Sequence, residues 1–169
     1  MAQRERDANA WMRNALKGPG VRLTRVENLV NDGTPDINGT VDSTDFWIET
    51  KAPNEPAKLS TKLFGTRSHS FNQDQKNFAL AHIKAGGNMW AFLATENRKL
   101  LVPGVYIEYL NEMSYGDILK AVVWRHDSGC ALAPSASALR AILARPTPTK
   151  LNLKLIGHDK PDALQDNPF

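Results

Sequence analysis

The chain has 169 residues, 41% of them hydrophobic and 23% charged, with a formal net charge of +3. That length and balance fit one soluble globular domain and exclude collagen-like, strongly disordered and disulfide-scaffold chains. No apolar run reaches the roughly 20 residues of a membrane span. The single cysteine, Cys130, has no partner in the chain for a disulfide or a cysteine-built zinc site. The opening MAQRERDANAW carries charges of both signs and no apolar stretch, which does not read as a secretory leader, so a cytoplasmic protein is expected. Charge is unevenly spread: residues 1–50 carry six basic and eight acidic side chains, residues 51–100 eight and three, and residues 101–169 seven of each. An acidic first third joined to a basic middle is the pattern of a cation-binding, phosphate-binding site, and equally that of a solvated surface with clustered charges.

In chain order, residues 2–17 read as a helix, with Ala8, Trp11, Met12, Ala15 and Leu16 at helical spacing and Gly18-Pro19-Gly20 to stop it. Val21 to Val30 reads as a strand, Asn31-Asp32-Gly33-Thr34-Pro35 as a turn and Asp36 to Thr40 as a second strand. Phe46-Trp47-Ile48-Glu49-Thr50-Lys51 is the best strand in the chain. Ala52 to Phe71, with two prolines and several hydroxyl residues, reads as a long loop of the kind that is usually functional. Asn72 to Lys84 is helical and ends at Gly86-Gly87, Met89 to Ala94 is a buried-type strand, and Leu100 to Val102 is a short one. Val105 to Met113 and Tyr115 to Val123 are ambiguous between helix and strand, and Ala138 to Ala144 is a short helix before a proline-containing polar tail. The order α-β-β-β-α-β argues for an α/β domain, here taken as residues 1–130, with residues 131–169 as a C-terminal helix and extended tail. Trp47, Trp90 and Trp124 are expected in the core.

Chemistry concentrates in Gly33-Thr34-Pro35-Asp36 and Glu49-Thr50-Lys51. Side chains two apart on a strand share a face, so Glu49 and Lys51 project together while Ile48 and Thr50 point the other way. A hairpin through Gly39 to Asp45 brings Asp36 beside Glu49. A carboxylate and an ammonium on a central apolar strand cost desolvation unless something compensates. Two carboxylates suit a hard divalent cation that keeps open water positions, and a neighbouring lysine can orient water or meet charge growing on a phosphate. Those parts suffice for phosphodiester hydrolysis. The alternative is that Asp36 only makes a turn and that Glu49 and Lys51 are ordinary cross-strand partners.

These residues resemble a known family. Pro35-Asp36 with Glu49-Thr50-Lys51, in GTPDINGTVDSTDFWIETKAP and followed by Gln75 in FNQDQKNFALAHIKAGG, is similar to the PD-(D/E)XK nuclease superfamily. The resemblance covers about residues 2–95; the fuller stretch resembles VRR-NUC domains, and is similar also to phage endonuclease I and archaeal Holliday junction resolvases. It implies a restriction-endonuclease-like core, a central mixed β-sheet flanked by helices. It also implies that Asp36 and Glu49, with the Thr50 carbonyl, ligate Mg²⁺ or Mn²⁺, and that Lys51 positions or activates the attacking water. Gln75 would help to hold the lysine or the phosphate, and Glu5 (or Asp7) would add an acidic group from the first helix. The function expected is a metal-dependent DNA endonuclease acting on branched DNA as a homodimer, of phage type.

Beside that site, Lys58, Lys62, Arg67 and His69 on the long loop and Lys76 and Lys84 on the next helix are expected to track a DNA backbone, with Arg98 and Lys99 extending the path. No recognition-helix motif or stacking platform is visible, which favours reading of DNA shape over base sequence. The rivals are a duplex or flap nuclease of replication, repair or host-DNA degradation, a non-catalytic DNA-binding protein with the same fold, and a chance match in an interaction protein. His69, His82, His126 and His158 lack metal-ligand spacing.

Overall fold

The six strands lie side by side in the order in which the chain makes them. They are β1 (Val21–Arg25), β2 (Ile37–Val41), β3 (Thr44–Lys51), β4 (Met89–Ala94), β5 (Arg98–Pro103) and β6 (Trp124–Asp127). Four helices flank them: α1 (Gln3–Leu16), α2 (Gln73–Lys84), α3 (Tyr115–Ala121) and α4 (Ala136–Leu143). The computed structural model describes residues 3–26, 33–65, 69–129, 136–148 and 150. Glu27, an acidic residue on the expected first strand that could approach the Asp36–Glu49 point, the end of that strand, Arg67, Cys130 and the tail beyond residue 150 lie outside the described residues. Among those described, no helix is long and apolar enough to cross a membrane.

All neighbouring strands pair antiparallel except β3 and β4, which run parallel. A parallel pair needs a crossover, and the long loop with α2 supplies it. The sheet is therefore mixed, with helices on both faces. On one face Met12 and Leu16 of α1 and Leu139 and Leu143 of α4 join Ile37, Val41, Phe46, Ile48, Phe92, Leu101 and Trp124 in one apolar cluster. On the other, Ala79 of α2 and Tyr115 and Ile118 of α3 close over Met89, Ala91, Leu93, Leu100 and Val102. β4 is buried at all six positions, as its unbroken apolar run requires of a strand covered on both faces.

Local chemistry explains the elements that position the site. β2 and β3 are joined by Asp42 and Ser43 alone, both with positive φ (47° and 66°), the mirror-image turn whose twist matches a two-residue hairpin. α2 opens on a reciprocal cap: the Asn72 side chain accepts from the Gln75 N–H, and Gln75 accepts from the Asn72 N–H. Ser114 caps α3 by accepting from the Asp117 N–H at 3.1 Å. α4 does more than trail behind the sheet. Its Leu139 and Leu143 are fully buried, and Arg140 donates to the Lys17 carbonyl just past the end of α1.

Three sequence expectations resolve differently. The ambiguous stretch after residue 104 is a 3₁₀ turn (Gly104–Tyr106) followed by hydrogen-bonded turns, then α3. β6 was not anticipated, because a four-residue edge strand of Trp-Arg-His-Asp carries too short an alternation to read. Trp47 is half-buried rather than core: it sits edge-on to Phe78 of α2, with ring centroids 5.5 Å apart.

The two positive-φ residues of the β2–β3 turn give one stability prediction. Glycine adopts such conformations without the Cβ clash, so Ser43→Gly is expected to raise stability by about 0.5–1 kcal/mol. Urea unfolding of the variant beside the parent checks it, and an unchanged or lowered midpoint contradicts it.

Candidate active site

The β2–β3 register pairs Ile37 with Ile48, so the next rung sets Asp36 opposite Glu49. No ladder continues there. Instead Asp36 Oδ2 accepts the Thr50 N–H at 3.0 Å, taking the place that a further residue of β2 would fill. Gly33 lets this turn lie directly on α2: a Cβ there would stand 2.7 Å from the Asp74 carbonyl oxygen. The turn, the end of β3 and the N-terminus of α2 thus meet at one point.

Glu49 and Lys51 share the α2 face of β3, as strand periodicity demands, and their charged ends are 3.0 Å apart with side chains only 3% and 10% exposed. Gln75 donates from Nε2 to the same Glu49 oxygen that Lys51 contacts. Its carbonyl oxygen is held by the Asn72 N–H at 3.0 Å, so the helix cap fixes which end of the amide faces the carboxylate. Lys51 Nζ also stands over the Phe71 ring, 5.5 Å from its centroid. Asn111 clamps the Phe71 backbone, donating to its carbonyl at 2.8 Å and accepting from its N–H at 2.9 Å.

The other face contributes a residue that the sequence reading passed over. Asn9 of α1 is 1% exposed. It accepts from Thr50 Oγ1 at 2.5 Å and hydrogen-bonds the Asp36 carboxylate. The sequence signal was present: Glu5, Asn9, Met12 and Leu16 follow helical spacing along the core-facing side of α1, and an asparagine on such a stripe needs partners. Glu5 lies half-buried one turn before Asn9, close enough for its charge to push both Asp36 and Glu49 upward. Asp7, its alternative, is exposed and accepts from Gln3 at 2.8 Å.

The electrostatics are those of an anionic cluster short of positive charge. Burial raises Glu49 to about 8, with Asp36 and Glu5 adding to the rise and Lys51 opposing it. Burial likewise raises Asp36, against the Thr50 N–H and Lys51. Among the described residues no three His, Cys, Asp or Glu side chains converge as a metal-holding group. A cation here would therefore rest on two carboxylates and the Thr50 carbonyl, which leaves the strand on the same edge as the N–H that meets Asp36. Two carboxylates plus water and substrate oxygens are a set that Mg²⁺ accepts, and the raised carboxylates are groups whose ionised form such an ion stabilises.

The expected cationic track is only partly assembled. Lys58 is exposed; Lys62 is exposed and paired with Glu112, whose carboxyl it lowers with help from Lys76 on α2. His69 is half-buried. Lys84 closes the far end of α2, roughly 13 Å along the axis from Gln75. Arg98 is committed to Glu55 at 2.6 Å, the Tyr115 hydroxyl at 2.8 Å and Asp127 at 3.6 Å. Lys99 projects to the opposite face of the sheet, over Trp11 of α1.

No protein-family model matches the sequence, and no curated protein matches it. Among solved structures, the Holliday junction resolvase of the archaeal hyperthermophile Archaeoglobus fulgidus is similar over 60% of this chain and 75% of its own, with 18% identity and a TM-score of 0.40.

Two outcomes follow from the buried groups. Glu49 keeps its proton in the folded protein from its ordinary 4.5 up to about 8, a window in which the unfolded chain has lost it. Folding then takes up a proton, so metal-free stability is expected to fall as pH rises through that window and to level off above it. Glu49→Gln should flatten the fall; urea midpoints measured in EDTA across the window decide, and a parent curve without slope refutes it. Asn9→Ala strands the Thr50 hydroxyl and one side of Asp36, and should cost about 1–3 kcal/mol in the same assay.

Proposed function

We propose that the chain is a metal-dependent DNA endonuclease that hydrolyses phosphodiester bonds in branched DNA, such as a Holliday junction. The observation that carries the reading is the convergence of Asp36, Glu49 and Lys51 at a dry point where the sheet ladder stops. Placing two carboxylates and an ammonium in such a spot costs desolvation that folding alone gives no reason to bear. Asp36, Glu49 and the Thr50 carbonyl would hold Mg²⁺ or Mn²⁺. That ion supplies Lewis-acid charge beside the phosphate and makes water a better nucleophile near neutral pH.

The protein's own groups divide the remaining work. Lys51 is fixed by Glu49 on one side and the Phe71 ring on the other, so its ammonium can orient the attacking water or donate to a phosphoryl oxygen as charge builds there. Gln75 and Asn9 act as positioning residues, each holding one carboxylate from a different helix. Glu5 adds negative charge that favours a cation at the site. Lys62 and Lys76 both lie near Glu112, next to the Asn111 that clamps Phe71, and with Lys58 they would meet phosphates on either side of the cut, a contact that positions DNA without reading its bases. Two strands of a junction must be cut symmetrically, so the acting species is a two-fold homodimer.

The test is cleavage of matched labelled duplex, single-strand, flap, three-way and four-way substrates, each with Mg²⁺, Mn²⁺ or EDTA. Paired symmetric nicks in the four-way junction are expected, abolished by EDTA and reduced at least ~10²–10³-fold in Lys51→Ala and Asp36→Ala. Equal cutting of every substrate would retain the nuclease and remove the branch preference. DNA binding without cutting would make this a binding protein.

A further inference from the structure

The loop that follows Lys51 leaves one feature unused by the hydrolytic site. Residues Ala57 to Lys62 are all exposed, and Leu59 among them is 58% exposed. The only other exposed large hydrophobic side chain among the described residues is Val123, at 39%. Scattered surface apolar residues are common and carry no meaning alone. Here the backbone around Leu59 is tied down. The Gly116 N–H donates to the Leu59 carbonyl at 2.8 Å, the Tyr115 N–H to Thr61 at 2.8 Å and the Thr61 N–H to Lys58 at 3.1 Å. Lys62 forms a bridge with Ser114. The seat is close: a Cβ at Gly116 would lie 3.2 Å from the Leu59 carbonyl oxygen and 3.3 Å from the Leu59 Cβ. The next two residues, Leu63 and Phe64, are buried in the core. An apolar side chain thus stands in water on a loop whose backbone is tied to the first turn of α3.

Its surroundings match one kind of partner. Lys58 and Lys62 lie on either side of Leu59 in the loop, both exposed. Lys62 pairs with Glu112, but with 54% and 76% of those side chains exposed the pair exchanges for a phosphate at little cost. The loop also connects to the site. Glu112 follows Asn111, which clamps Phe71, and the Phe71 ring lies under Lys51. Cations that would meet backbone phosphates, around an apolar side chain more than half exposed, are the parts by which proteins open and kink a base stack. A pre-ordered loop enters with little further loss of conformational freedom.

We propose that the Ala57–Lys62 loop is a wedge: Lys58 and Lys62 grip the DNA backbone while Leu59 enters the stack at the branch point, steering branched DNA to the site. This rests on the nuclease reading of Asp36, Glu49 and Lys51, and the experiment separates the two. The full chain is bound, in Ca²⁺ to suppress cutting, to a four-way junction carrying 2-aminopurine beside the branch and to a continuous duplex carrying it centrally. Cleavage of both DNAs is followed in Mg²⁺. The parent should raise 2-aminopurine fluorescence at the junction and leave the duplex unchanged. Leu59→Ser should lose that rise and lower the preference for junction over duplex roughly tenfold, while duplex cleavage stays at the parent level. Leu59→Phe should keep the rise and the preference. Lys58→Ala with Lys62→Ala should weaken binding to both DNAs alike. A parent that cuts DNA while Leu59→Ser matches it in fluorescence and preference overturns the wedge and leaves the nuclease standing. A parent that neither binds nor cuts any DNA overturns both.

Discussion

A carboxyl group that cannot reach water governs this structure. Glu49 sits on β3 one residue past the last β2–β3 rung, 2% exposed, and everything nearby answers it. Lys51 faces it from two residues along the same strand, Gln75 reaches it from the cap of α2, and the Phe71 ring closes over the ammonium. Deep ion pairs rarely add stability over an apolar pair of the same shape. The arrangement makes physical sense as a site kept dry and rigid so that charge placed in it acts strongly.

Asp36 depends on the same end of the sheet in a different way. It occupies the position of a missing strand residue, accepting the Thr50 N–H that would otherwise be stranded. A carboxylate in that role is fixed by backbone geometry rather than by rotamer preference. Asn9 then holds it from the opposite face of the sheet through a helix that is otherwise packed by Met12 and Leu16. The site is therefore assembled from both layers of the fold, one helix for each carboxylate.

Much of this was legible in the amino acids. Alternation along β3 put Glu49 and Lys51 together, and a hairpin aligning Asp36 with them was legible, although the polar stretch Gly39 to Asp45 reads as its connection and only Asp42 and Ser43 turn the chain. The unbroken apolar run of β4 announced a strand covered on both faces. What the sequence hid depended on distant contacts. β6 is a short edge strand defined by its pairing with β5 rather than by pattern. Asn9 reads as an ordinary helix residue until its stripe is seen to face Thr50. Arg98 reads as a free cation, yet its guanidinium is absorbed by Glu55, Tyr115 and Asp127, which anchor the start of the loop after β3. Lys99 was counted with it, and strand alternation carries the two to opposite faces.

The bond from Arg140 to the Lys17 carbonyl joins residues 123 positions apart. Through it the last described helix steadies the far end of the helix that delivers Asn9 and Glu5. During synthesis, a nascent chain that has emerged as far as α2 already owns every acidic and basic group of the candidate site. It does not yet own the Arg140 contact, or the Leu139 and Leu143 side chains that close the apolar face beneath α1. The candidate site is accordingly expected to set only once α4 has emerged, well after the residues that compose it have been made.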